Sequence, residues 1–190
     1  MKLRSAGFSL LELMAVIMII GLAIGGAAVM VNTNSPEYQV VEGVEKFMAI
    51  AEFASEKATL SGDSVGLRLE PPEWQTEDSS EYEDMGWRYH WVLMSYQGWV
   101  EIPNMPPVSF PPGVELKIEV GEIEWNWEEA LDRETPLAVY YPSGDISDIA
   151  IEITSEYDEE IEAHIELDDY GQLVWRELQE EREAREKEGR

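Results

Sequence analysis

Glu12 sits in the run FSLLELMAVIMIIGLAIGGAAVMV, where it is the only charged residue between positions 8 and 31. A helix over that stretch rises about 36 Å, enough to cross a hydrocarbon core of about 30 Å. An acid at the middle of such a span costs roughly 2.5–3.5 kcal/mol and less near its end, so Leu would serve a plain anchor better. The chemistry open to Glu12 is electrostatic. A carboxylate in low dielectric attracts a cation strongly and is costly without one. Glu12 is therefore a functional-site candidate that needs a positive partner. Gly21 and Gly25 lie farther along the same run as a G-x-x-x-G pair, the spacing that lets two membrane helices approach closely.

Other chemistry-bearing residues are sparse. His164 stands between Glu162 and Glu166 in an alternating stretch, so the three share one face. That face reads as a solvated acidic surface rather than a metal cluster, because no second histidine is near. His90, in Tyr89-His90-Trp91, reads as a packed or hydrogen-bonded histidine. Asp145 and Asp148, like Asp168 and Asp169, lack the ligand spacing of a calcium loop and read as turn formers. No Ser-His-Asp order, phosphate-cradling glycine loop or zinc spacing is present. No catalytic residue, metal or cofactor is expected.

The elements that must position these residues follow from charge and periodicity. Lys2 and Arg4 precede the apolar run and acidic sequence follows it, which keeps the N-terminus cytoplasmic and exports the rest. The run is too long for the core of a secretory signal peptide, and no A-x-A site closes it. Ser35 and Pro36 then fit an N-cap and first helical position. Val40, Val44, Phe47, Ala51, Ala54 and Ala58 recur at helical spacing, predicting a helix over residues 37–60 that Ser61-Gly62 ends. Beyond it, strands are predicted over residues 65–69, 88–96, 114–120, 137–141, 149–153, 161–167 and 173–175, parted by turns at Pro111-Pro112-Gly113, Ser143-Gly144-Asp145 and Asp169-Tyr170-Gly171. An α+β chain results: a long N-terminal helix, first membrane-spanning and then exported, packed on an antiparallel two-sheet β domain.

Composition excludes several partners. The chain carries 13 basic and 40 acidic residues, a net charge of −27, and no cysteine. Such a field repels nucleic acid and anionic lipid surfaces, and neither disulfides nor thiolate metal sites contribute. No nucleic-acid partner is expected.

Ala6-Gly7-Phe8-Ser9-Leu10-Leu11-Glu12 behind a basic leader and before a long apolar helix resembles the leader of type IV prepilins and type II secretion pseudopilins. The resemblance implies cleavage by a prepilin peptidase after Gly7 and N-methylation of Phe8, with Glu12 as the fifth residue of the mature chain. It also supplies the missing cation, since the Phe8 ammonium of a neighbouring subunit would pair with Glu12 and set the register between them. Glu52-Phe53-Ala54-Ser55-Glu56-Lys57-Ala58, Val65-Gly66-Leu67, residues 136–144 with 149–151, and Asp169-Tyr170-Gly171-Gln172-Leu173 resemble the H-type minor pseudopilin. The implied fold is pilin-like, in a single-pass inner-membrane protein with a periplasmic C-terminal domain. The implied partners are the other pseudopilins of the filament, tip and major subunits alike, together with the peptidase and the inner membrane.

On this reading residues 1–7 are the leader, 8–31 the transmembrane helix, 32–60 the periplasmic part of that helix, 61–176 the β-rich domain and 177–190 a charged tail. Alternatives are a minor pilin of a type IV pilus and a membrane-anchored periplasmic binding domain that does not polymerise. Residues 73–84 and 122–134 match nothing in the family pattern. Trp125-Asn126-Trp127 within the latter either meets a partner or folds back onto the domain.

Overall fold

The computed structural model describes residues 35–76, 80–81, 85–130, 133–156 and 158–188. Among the described residues no helix is long and apolar enough to cross a membrane, and the predicted span over residues 8–31 lies outside them. The chain from Pro36 onward forms one unit.

Helix α1 (Pro36–Ser61) carries the predicted stripe. Val40, Val44, Phe47, Ala51, Ala54 and Ala58 are all buried, and the three alanines let the backbone approach the sheets closely. At the end of the helix Gly62 takes φ +75°, where a side chain would be strained, and its N–H donates to Ala58 O at 3.0 Å.

Ten strands follow among the described residues, all paired antiparallel. The first sheet holds β1 (Val65–Glu70), β2 (Arg88–Ser95), β3 (Gly98–Glu101), β4 (Val108–Ser109) and β7 (Ala138–Tyr140). Its order is β3-β2-β1-β7, with β4 also on β2. The second holds β5 (Val114–Val120), β6 (Ile123–Glu124), β8 (Ile149–Ser155), β9 (Asp158–Leu167) and β10 (Leu173–Trp175), in the order β10-β9-β8-β5-β6. A short helix α2 (Pro72–Gln75) follows β1, and helix α3 (Arg176–Glu188) follows β10.

α1 packs against β1 and β7 of one sheet and against β8, β9 and β10 of the other, so one core serves both. Phe47 anchors it, 5.1 Å edge-on from Tyr89, 6.0 Å from Phe110 and 6.3 Å from Trp91 by ring centroids. Ile118, Ile151, Ile153 and Ile165 complete it from the second sheet. The Tyr140 hydroxyl, stacked beside Trp91 at 5.5 Å, has its pKa pushed up to about 12 by burial.

The fold class agrees with the sequence reading, with three strands more than the seven expected. β3, β4 and β6 are two to four residues long and take their place from a partner strand rather than from alternation. Residues 177–188, expected as part of a charged tail, belong to α3, which begins one residue earlier at Arg176.

Candidate functional site

Gly7, Phe8, Glu12, Gly21 and Gly25, the predicted processing and assembly residues, lie outside the described residues. The domain itself carries three side-chain clusters of note.

The first joins the unmatched segments. Trp125 N–H donates to Ile118 O at 2.8 Å, which turns residues 125–127 back over the end of the second sheet. Trp125 then lies 5.8 Å from Trp74 and 6.5 Å from Trp87, and Trp127 lies 6.3 Å from Trp87, all edge-on. The Arg133 guanidinium caps Trp74 at 4.6 Å. Both tryptophans are half-buried against the core, which settles the choice left open by the sequence in favour of folding back.

The second lies between β1 and β2. Glu70 receives Arg88 Nε at 2.7 Å, and its other oxygen lies 3.3 Å from His90 Nε2, in ion-pair reach but not aligned as a hydrogen bond. His90 beside it and Arg88 outweigh the opposing effect of burial and hold the Glu70 carboxyl down at about 2. His90 is buried, as expected of a packed histidine.

The third lies on the outer face of the second sheet. His164 is directly opposite Glu152 across β8 and β9, and Glu162 is two residues away on the same face. His164 Nε2 is 3.0 Å from Glu162 Oε1, and Nδ1 is 2.6 Å from Oε1 of Glu177 in the first turn of α3. The His164 backbone N–H also donates to Glu177 Oε2 at 3.1 Å. Burial works to raise the Glu177 carboxyl, but these bonds from His164 prevail and hold it below the usual carboxylate range. Glu166, expected to share the cluster, instead lies 3.6 Å from Arg176. Sequence reasoning missed Glu152 and Glu177, which reach the face from other elements.

Asp168 and Asp145 behave as turn formers. Asp168 Oδ1 accepts from the backbone N–H groups of Tyr170 (2.9 Å) and Gln172 (2.8 Å), and Asp145 accepts from the Ser143 hydroxyl at 2.8 Å. Along α1 the face away from the sheets exposes Tyr38, Phe53 and Leu60 among acidic residues. A groove of about 730 Å³ runs between α1, β10 and α3, lined by Met48, Leu173, Trp175 and Leu178 with Glu45, Glu52 and Arg182 among its charged members.

Residues 2–28 match the prokaryotic N-terminal methylation motif. Over 95% of its length the chain is 26% identical to type II secretion system protein H of Aeromonas hydrophila, covering 97% of that protein. Its likeness to the protein H of Dickeya chrysanthemi is 24% over 90% of this chain and 94% of that one. A crystal structure of the minor pseudopilin EpsH from Vibrio cholerae superposes with a TM-score of 0.56 at 18% identity, over 74% of this chain and 95% of that one. A second EpsH structure gives 0.52 at 16% identity, over 71% and 93%. The chain is thus similar along nearly its whole length to type II secretion system protein H, shares the fold of the minor pseudopilin EpsH, and carries the prokaryotic N-terminal methylation motif at residues 2–28.

Proposed function

We propose that the chain is made as a prepilin, cut by a prepilin peptidase between Gly7 and Phe8, methylated on Phe8, and built into a short periplasmic filament of type II secretion. Residues 8–31 anchor it in the inner membrane, with the N-terminus cytoplasmic and the domain periplasmic. It acts by assembly with other pseudopilins and carries no catalytic role. The observation that supports this best is Glu12, the single charge in a 24-residue apolar run, inside the segment that matches the methylation motif. An uncompensated acid there is a cost to a lone helix. The ammonium of a neighbour's Phe8 turns it into a register mark, and Gly21 and Gly25 allow the helices to come close.

The test uses the full chain in its native host, with mass spectrometry of the mature N-terminus, crosslinking to other pseudopilins, and a secretion assay. The wild type should begin at N-methylated Phe8. Glu12→Leu should be processed and membrane-inserted as before but lose its crosslinks, and secretion should fall; Glu12→Gln should follow it if charge rather than shape matters. An intact Met1 terminus, or a Glu12→Leu chain that crosslinks and secretes normally, overturns the reading.

A further inference from the structure

The His164 cluster converges more donor atoms than its internal hydrogen bonds use. Glu177 Oε1 lies 2.6 Å from His164 Nδ1 and its Oε2 accepts from the His164 backbone N–H, so this carboxylate holds one side of the ring. On its other side the ring turns Nε2 toward the Glu162 carboxylate, 3.0 Å away, the nitrogen that a metal ion would take. Glu152 closes the set from the neighbouring strand. One ligand atom from each of Glu152, Glu162 and His164 lies within 4.8 Å of the others. That is the spacing of three atoms that share one metal ion.

We propose that Glu152, Glu162 and His164 form a binding site for a first-row divalent cation of the zinc type, with Glu177 as the carboxylate that orients the imidazole. The donor set decides the class of ion. One imidazole nitrogen with two carboxylates suits zinc and its neighbours, whereas calcium takes six to eight oxygens. The Glu177–His164 contact is the carboxylate–histidine arrangement that fixes the tautomer of a metal-binding imidazole. All three ligands stand on paired strands, which hold them more firmly than a loop would. An adjoining cavity of about 160 Å³, bordered by Glu152, His164 and Glu166, leaves room for water in the remaining coordination position.

Lys117 is the built-in competitor. Its ammonium lies 3.6 Å from Glu152 Oε2, across the β5–β8 pair, and supplies part of the positive charge that the ion would bring. Removing that charge should strengthen metal binding, an effect that no purely structural role for the cluster produces.

The experiment titrates the full chain in detergent micelles with Zn²⁺ against a chromophoric chelator, with Ca²⁺ as the comparison ion and circular dichroism to check folding. The wild type should take up one Zn²⁺ that equimolar Ca²⁺ does not displace. Glu177→Gln should weaken binding by about 10–100-fold. His164→Gln should weaken it at least as far, and Lys117→Met should tighten it. Equal zinc uptake by wild type and His164→Gln overturns the proposal, as does displacement by equimolar Ca²⁺, since either describes a diffuse acidic surface. Should His164→Gln misfold, Lys117→Met decides alone, and no tightening overturns the site.

Discussion

The first sheet buries both faces of its central strands, whereas the second turns one face to solvent. In β2 the consecutive residues Tyr89, His90, Trp91 and Val92 are all buried, and in β1 so are Val65, Gly66 and Leu67. In β5 and β8 burial alternates with partial or full exposure. The cause is local. Pro136 and Trp99 lie over the outer side of β1, so close that a Cβ at Gly66 would stand 2.4 Å from the Pro136 ring. Lys117, Glu152 and Glu162 on the second sheet stay 35–49% exposed. Two histidines in similar strand contexts accordingly meet different fates: His90 is enclosed beside one carboxylate, and His164 lies in an open field of three. Burial of the outer face, rather than residue type, decides what a strand histidine can do.

The contrast can be broken most forcefully at Gly66. Gly66→Ala should destabilise the domain by about 2–3 kcal/mol, because the added methyl must displace Pro136. Ala150→Val, a similar enlargement on the outer side of the second sheet, should stay within about 0.5 kcal/mol. Chemical denaturation of both variants compares them directly, and equal losses would mean that the two faces are covered alike.

A smaller effect is expected at Glu70. Its folded-state pKa of about 2 lies below the usual carboxylate value, so the fold keeps it ionised where the unfolded chain takes up a proton. The stability it contributes is complete above about pH 5 and is lost as pH falls toward 2. Allowing for solvent screening, Glu70→Gln should cost about 1–2 kcal/mol at neutral pH and flatten part of the acid limb of the stability curve. A parallel shift of that curve, with its acid limb unchanged, would remove Glu70 from the account. On the open sheet, Lys117→Met should change stability by less than about 0.5 kcal/mol, since its pair with Glu152 is exposed.

Legibility in the sequence followed the same division. β5 and β10 have the predicted limits because alternation or turn chemistry marks them; Val114-Glu115-Leu116-Lys117-Ile118 reads as a one-sided strand at sight. The α1 stripe was equally plain, from Val40 to Ala58. β2 offered only a continuous apolar run, which names a strand but not what covers it. β3 depends on β2 for its register, with Ser95 opposite Gly98 and Val92 opposite Glu101. α3 has its own signal in the sequence: RELQEEREAREKE is rich in strong helix formers and places Glu181 before Arg185 and Glu183 before Lys187 as i,i+4 pairs. For the His164 cluster, the i,i+2 relation to Glu162 was readable, whereas Glu152 and Glu177 required strand pairing and helix docking that no spacing encodes.

The tryptophan cluster has an optical consequence. Trp74, Trp87, Trp125 and Trp127 come from three separated segments, with the neighbouring rings 5.8–6.5 Å apart. Indoles held at that spacing and at fixed crossing angles couple their electronic transitions and give exciton-shaped bands in circular dichroism. The protein thus carries its own unlabelled reporter, whose signal depends on the 125–127 segment being seated rather than on the sheets as a whole. Lifting that segment away would erase the coupled bands while leaving the strand signal intact.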